Sequence, residues 1–383
     1  MRHENSVFHA LLKQVPWAAF ERLSAAYKAD HRVRHLTTKT QLIALLYGQF
    51  SGAVSLREIV GGMGSHALRL YHLGAKPVTR STLADANAQR PSAVFSGLFA
   101  EMAARAHRGL RRTLGEAVYL IDATSVRLSP LASDWAGLSA RTCGAKVHVI
   151  YDAGAEQPIY AAVTPARVND MTAAQTMPIE AGATYVFDLG YYDYRWWASL
   201  HKAGCRIITR FKSHTPLTVT ANLPVPQEAS NILGDRIGLL PQRQAGRRKN
   251  PLDTPVREIR VRIETGKILR LLSNDLQAPA QEIADLYKRR WAIELFFRWV
   301  KQTLKIRHFI GNTENAVRIQ IAVALIAFLL LRMTHRAQKA VQSPLAFARL
   351  IRVNLMHRKT IQELPKPVPK PPDDTRQWTL QWI

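Results

Sequence analysis

Cysteine is almost missing from this chain. Cys143 and Cys205 are the only two in 383 residues, so a disulfide framework and a four-cysteine zinc site are both excluded. A reducing cytoplasm is the simple expectation. The 13 histidines show no close ligand spacing to either cysteine, and zinc is not expected. Long apolar runs are also lacking. The longest, Ile321–Leu331 (IAVALIAFLLL), has Arg318 before it and Arg332 after it. It is too short to cross a bilayer and reads as a fully buried helix, with no membrane role. The opening MRHENSVFHALLKQVPW shows no secretory apolar segment with a cleavage site. Acidic residues are scarce: 28 Asp and Glu stand against 53 Lys and Arg, a net charge of +25. That surplus asks for a polyanion. Nucleic acid is the first choice and acidic lipid the competing one.

What is present is a folded composition, 47% hydrophobic and 21% charged, enough for two or three modules. Residues 1–75 read as helices, with Thr38 as a candidate N-cap and Gly61-Gly62 as a stop. The basic stretches Lys28–Arg34 and His66–Arg80 suit a helical DNA-binding module, and a plain helical packing domain reads equally well. RSTLADANAQRP (80–91) starts a helix expected to run on through FSGLFAEMAARAHRGLRR. A β-rich core follows, with strands at 118–128, 146–154, 158–167, 184–193 and 205–211 and a helix at Tyr194–Ala203. Three strands in a meander, then strands alternating with helices, point to a mixed α/β sheet flanked by helices. Between 212 and 278 a hairpin is expected around Glu264-Thr265-Gly266-Lys267, after the basic loop 243–251. LPKPVPKPPDD (364–374) is a proline-rich, extended tail.

YKRRWAIELFFRWVK (287–301) carries the most chemistry. Leu286, Ile293, Phe296, Phe297, Val300 and Leu304 recur at helical spacing, which predicts one helix over 281–304. At about 100° per residue, Tyr287, Arg290, Glu294 and Lys301 share a sector of roughly 60° beside the apolar stripe. An ordinary Arg290–Glu294 surface pair would give part of this pattern. Two more carboxylates stand out: Asp122 and Asp188 each end a strand that is apolar up to that residue. Such a residue is costly unless it is paired, caps a turn or binds a cation. Together with Glu294 they form a donor set suited to two Mg²⁺ ions, which take oxygen ligands.

At these residues the chain resembles the bacterial insertion-sequence transposases of the insertion-sequence-four family. Tyr287, Arg290, Glu294 and Lys301 meet the signature YxxRxxxExxxxxxK. IDAT around Asp122, FDLGYY around Asp188 and STLADANAQRP (81–91) also match family segments. The resemblance implies a ribonuclease-H-like mixed sheet with flanking helices, interrupted by a β-rich insertion, plus an N-terminal helical domain. The expected division is a helical end-DNA-binding domain at 1–75, a helical connector at 76–117 and a catalytic core at 118–211 and 279–335. The insertion occupies 212–278, and a C-terminal helix with its tail 336–383.

The resemblance further implies that Asp122, Asp188 and Glu294 are the catalytic, metal-binding triad, with two Mg²⁺ ions that Mn²⁺ can replace. Tyr287, Arg290 and Lys301 would grip phosphates, Arg290 and Lys301 both facing solvent in the free protein. Trp291 would stack on a flipped base; packing beside Leu295 in the core is the equal alternative. Asn169-Asp170 would support the site or position a helix. Tyr191-Tyr192 and Trp196-Trp197 could reach DNA, although aromatic residues beginning a helix are more often core. The partners implied are the terminal inverted repeats, target DNA and a second copy at synapsis, in the cytoplasm at the nucleoid. The reaction would be metal-dependent cutting at the element end and joining of the freed 3′-hydroxyl to target DNA. A non-catalytic transposase relic or repressor, and a nuclease of the same fold, stay open beside it.

Overall fold

The computed structural model describes residues 5–111, 116–139, 142–225, 231–243, 249–304, 309–338, 340–341 and 343–364. The proline-rich tail beyond Leu364 and the centre of the basic loop lie outside them. Seven helices come first: α1 (Val7–Leu12), α2 (Trp17–Ala26), α3 (Thr38–Ser51), α4 (Leu56–Gly64), α5 (Ala67–Leu73), α6 (Arg80–Gln89) and α7 (Ser92–Arg111). Their ends are set by local chemistry. The α3 cap is Thr37, one residue before the expected Thr38, its hydroxyl accepting from the Thr40 N–H. Helix α4 opens with a capping box: the Glu58 N–H donates to Ser55 Oγ, and Glu58 Oε2 accepts from the Val54 N–H. The helix expected to run unbroken from Arg80 is two helices, because Pro91 cannot continue the hydrogen-bond ladder of α6.

The strands are β1 (Val118–Leu128), β2 (Gly137–Ser139), β3 (Thr142–Asp152), β4 (Gln157–Pro165), β5 (Thr184–Phe187), β6 (Arg206–Arg210), β7 (Thr218–Asn222), β8 (Ile232–Leu239), β9 (Val256–Arg262) and β10 (Ile268–Ser273). They form one ten-stranded mixed sheet, ordered β3-β1-β5-β6-β10-β9-β8-β7, with β2 and β4 both paired to the outer edge of β3. Only β1–β5 and β5–β6 are parallel. Segment 212–278 is β-rich as expected, but it is no separate body: β10 pairs with β6 and carries the sheet onward. A buried ion pair stiffens that extension, Arg257 Nε donating to Asp235 Oδ1 (2.8 Å) and Nη2 to Oδ2 (2.5 Å).

Between the strands lie α8 (Ser133–Ala136), α9 (Asp170–Ala174) and α10 (Tyr194–Lys202). After the sheet come α11 (Ala280–Arg289), α12 (Trp291–Thr303), α13 (Glu314–Ala337) and α14 (Pro344–Asn354). One face of the sheet packs Leu120, Val147, Val149 and Val186 into a core shared with the N-terminal helices and α11–α13. The other face packs Ile121, Tyr185 and Phe187 against Tyr191, Trp196 and Trp197. The apolar run Ile321–Leu331 is buried throughout. The helix around it is longer than the run, and α13 is long and apolar enough to span a membrane by length and composition. In the fold 83% of its most apolar window is covered by protein.

Candidate functional site

Strand β1 does not end at Asp122; it continues to Leu128 because β3 pairs with it as far as Leu128↔Cys143. What ends there is the parallel pairing. The last paired residues of β1 and β5 are Ile121 and Phe187, so Asp122 and Asp188 are the next residue on each of two adjacent strands. Neighbouring strands lie about 4.8 Å apart, and the two carboxylates start side by side on the face that α11 and α12 cover. Asp188 caps the turn after it, Oδ1 accepting from the Gly190 N–H at 2.8 Å. Asp122 Oδ1 accepts from the Ala123 N–H at 2.7 Å. Burial pushes the Asp122 carboxyl up to about 6; the Ala123 N–H and Arg290 oppose the rise, while the charges of Asp188 and Glu294 add to it.

The third carboxylate arrives on the helices. The expected single helix over 281–304 is two, α11 and α12, joined at Arg290. There the Arg290 N–H bonds Tyr287 O and the Ile293 N–H bonds Arg290 O, a three-residue spacing tighter than an α-turn. The predicted stripe is buried: Leu286, Ile293, Phe296, Phe297, Val300 and Leu304 all lie in the core. Arg290 is not solvent-facing as expected, since its side chain is 17% exposed. Its Nη2 donates to Glu294 Oε1 at 2.6 Å, and Nη1 to Asp122 Oδ2 at 3.5 Å. Its Nε–H is buried with no acceptor among the described residues. The Tyr287 ring lies 5.8 Å from the guanidinium carbon. Burial raises the Tyr287 hydroxyl, which Arg290 and Arg210 pull down and Asp188 pushes up.

The structure therefore brings together Asp122, Asp188, Tyr287, Arg290 and Glu294. Lys301 lies two turns beyond Glu294 on α12 and is partly exposed. Trp291 is 52% exposed and Leu295 46%, so the core-packing alternative for Trp291 fails. Tyr191, Trp196 and Trp197 are buried; for them the core reading holds, and only Tyr192 is partly exposed, beneath the Lys212 ammonium. Asn169 caps α9, and Asp170 Oδ1 accepts from Lys146 Nζ at 2.9 Å. Reading the sequence missed Arg210 at the end of β6 and Lys146 on β3, because neither belongs to a motif; the paired-strand register is what places them.

Three carboxylates of this kind offer the hard oxygen donors that a divalent cation takes. As the chain stands, no group of three His, Cys, Asp or Glu among the described residues is gathered closely enough to hold a metal ion. Instead, the Arg290 guanidinium bridges Asp122 and Glu294.

Comparisons with known proteins agree on one family. Residues 113–330 match the family described as Transposase DDE domain, and residues 3–76 match a domain of unknown function. The chain is 39% identical over 297 residues to a protein of Sinorhizobium fredii named as transposase y4zB, covering 77% of this chain and 82% of that one. It is 27% identical over 276 residues to a Geobacillus stearothermophilus protein named as a transposase for insertion sequence element IS5377, covering 71% and 72%. A piggyBac transposase synaptic complex with hairpin DNA superposes with a TM-score of 0.45 at 12% identity, over 96% of this chain and 86% of that one. The chain belongs to the DDE transposases, enzymes that cut and join DNA strands with divalent metal.

Proposed function

We propose that this transposase acts on the ends of an insertion sequence, with Asp122, Asp188 and Glu294 as the residues that hold two Mg²⁺ ions. The observation that supports this most directly is the register of β1 and β5, which ends the two strands' pairing at the two aspartates while Arg290 ties Asp122 to Glu294. When bound, such ions activate an attacking oxygen and stabilise a leaving one. Arg290 holds Asp122 and Glu294 ready in the free protein and turns to a DNA phosphate on loading, where its fork suits two oxygens. Its idle Nε–H supplies a further donor. Lys301 and Arg210 add positive charge along the path of the strand, Tyr287 orients the guanidinium, and the exposed ring of Trp291 stacks on an unpaired base. Two copies assemble at synapsis, each end cut to a 3′-hydroxyl that joins target DNA, in the cytoplasm at the nucleoid.

The test is cleavage of duplexes carrying the element's own terminal repeats, with Mg²⁺ and with EDTA, by wild type and Glu294→Gln. Metal-dependent cutting followed by strand joining, lost in the variant with end binding kept, is expected. Cutting by Glu294→Gln would remove Glu294 from the triad.

A further inference from the structure

Past Arg210 the chain leaves β6 through Lys212, Ser213, His214 and Thr215, a turn closed by the Thr215 N–H on Lys212 O at 3.2 Å. One side chain of the neighbouring strand holds it. Arg270, on β10, donates from Nη1 to Lys212 O (2.8 Å), Ser213 O (2.7 Å) and Thr215 O (3.1 Å), and from Nη2 to Thr215 O (3.1 Å). Its Nε donates to Glu258 Oε1 at 2.5 Å, and its guanidinium carbon lies 4.4 Å from the centre of the Phe211 ring. Glu258 is 1% exposed and accepts Arg236 Nη2 on its other oxygen at 2.6 Å. The anchor of this turn is therefore a buried carboxylate fixed by two cations.

A trans peptide is planar, its C=O and N–H pointing opposite ways. With the carbonyls of Lys212 and Ser213 turned in to Arg270, the N–H groups of Ser213 and His214 are turned out. Both residues are exposed, and among the described residues neither N–H meets an acceptor. Successive N–H groups aimed one way make a concavity that takes an anion. No Asp or Glu occurs from Tyr194 to Gln227 to repel one. The turn is also tied to the carboxylate site: Tyr192, just past the Asp188 turn, donates its hydroxyl to Thr215 Oγ1 (3.2 Å) and lies beneath Lys212 Nζ. Thr209 Oγ1 donates to Asp188 O (3.4 Å), and Ser213 is four residues further, at most about 13 Å of chain. We propose that the 212–215 turn seats one phosphate of the strand lying in the carboxylate site, through the Ser213 and His214 N–H groups. Arg270 is its positioning residue. The proposal rests on the reading that this site cuts element ends, and adds a contact made by backbone, which no side-chain motif displays.

The test uses duplexes carrying the element's own terminal repeats, with single phosphates near the cut replaced in turn by neutral methylphosphonates. Each is cut with Mg²⁺ by wild type, Ser213→Pro, Ser213→Ala and Arg270→Met. Ser213 has negative φ, and proline suits the second position of such a turn. Ser213→Pro thus removes one outward N–H and leaves the carbonyls to Arg270. Arg270→Met frees those carbonyls while Glu258 keeps Arg236. Both variants should cut the native duplex about tenfold more slowly, the scale of one hydrogen bond to a charged group. Wild type should show a similar loss at one methylphosphonate position, and there alone the two losses should not add, as for partners in one contact. Ser213→Ala, which keeps the N–H, should stay within about twofold of wild type. Additive losses at every position, or native cutting by Ser213→Pro at the wild-type rate, would overturn the seat. If Ser213→Pro melts early, the same scan with Arg270→Met decides. Absence of Mg²⁺-dependent cutting by wild type would instead overturn the reading beneath it.

Discussion

Arg290 Nη2 stands 2.6 Å from Glu294 Oε1, and the same guanidinium reaches Asp122 Oδ2 at 3.5 Å. One cation on the helices thus bridges an acid of its own element to an acid of the sheet, in the space where the carboxylates would otherwise repel one another.

The bridge gives Arg290 a structural role beside the one proposed for it. Arg290→Ala leaves two partly buried carboxylates facing each other and should destabilise the metal-free protein by about 1–3 kcal/mol. Mg²⁺ should restore much of the loss. Melting with and without the ion checks this; a variant as stable as wild type in EDTA would assign Arg290 to DNA contact alone.

The raised carboxyl of Asp122 sets a pH dependence. Its folded value is about 6 against 3.8, so the folded chain holds the proton more tightly. The stabilisation is complete below about pH 3.8 and is lost as pH rises through about 6, by at most about 3 kcal/mol. Asp122→Asn should therefore be more stable than wild type at neutral pH in EDTA, with a flatter profile, and should gain less from Mg²⁺. Urea unfolding across that range decides it; parallel profiles would show that Asp122 does not titrate as stated.

Gly190 separates two acids. A methyl group there would lie 3.0 Å from Asp188 Oδ1 and 3.4 Å from Asp170 Oδ2. Gly190→Ala should displace the Asp188 carboxylate by a few tenths of an ångström and depress metal-dependent cutting by at least about tenfold, since small misplacements at a reacting centre are costly. Binding to end DNA should be kept. Full cutting by this variant would show that the turn has room to adjust.

Trp291 is half exposed, so Trp291→Ala should change stability by no more than about 0.5 kcal/mol. If its ring stacks on a base, end processing should slow by about tenfold or more, on the scale of 1–3 kcal/mol per stacked base. Equal rates would leave the ring without a role in the reaction.

Much of this was legible in the sequence because the signals were periodic or local. The buried stripe of α12 followed from spacing and the strand through Asp122 from its apolar run, whereas the strand expected at 184–193 stops at Phe187, where Asp188 caps a turn. What the sequence did not show depended on pairing. The strand expected at 118–128 is β1 in full, but nothing local reveals that its pairing with β5 stops at Ile121 while its pairing with β3 runs on to Leu128. Nor does β-richness at 212–278 say whether those strands form their own sheet or join an existing edge, as β10 does on β6. The break at Arg290 was hidden by an unbroken helical pattern. The burial of its guanidinium followed from a partner, Asp122, that no spacing along the helix could reveal.

The position of α13 has a consequence for biosynthesis. The helices that pack against it, α3, α6 and α7, precede it in the chain, so their apolar surface is made before the helix that covers it. Glu294 is also late. A nascent chain can thus carry the basic N-terminal helices and both aspartates while lacking the third carboxylate and the central helix of the core. Chains stopped at Thr313 should keep helical far-ultraviolet dichroism, lose fixed tertiary signals and bind a hydrophobic dye. Synthesis of this enzyme would then be all-or-none in effect, its cutting activity withheld until α13 has been made.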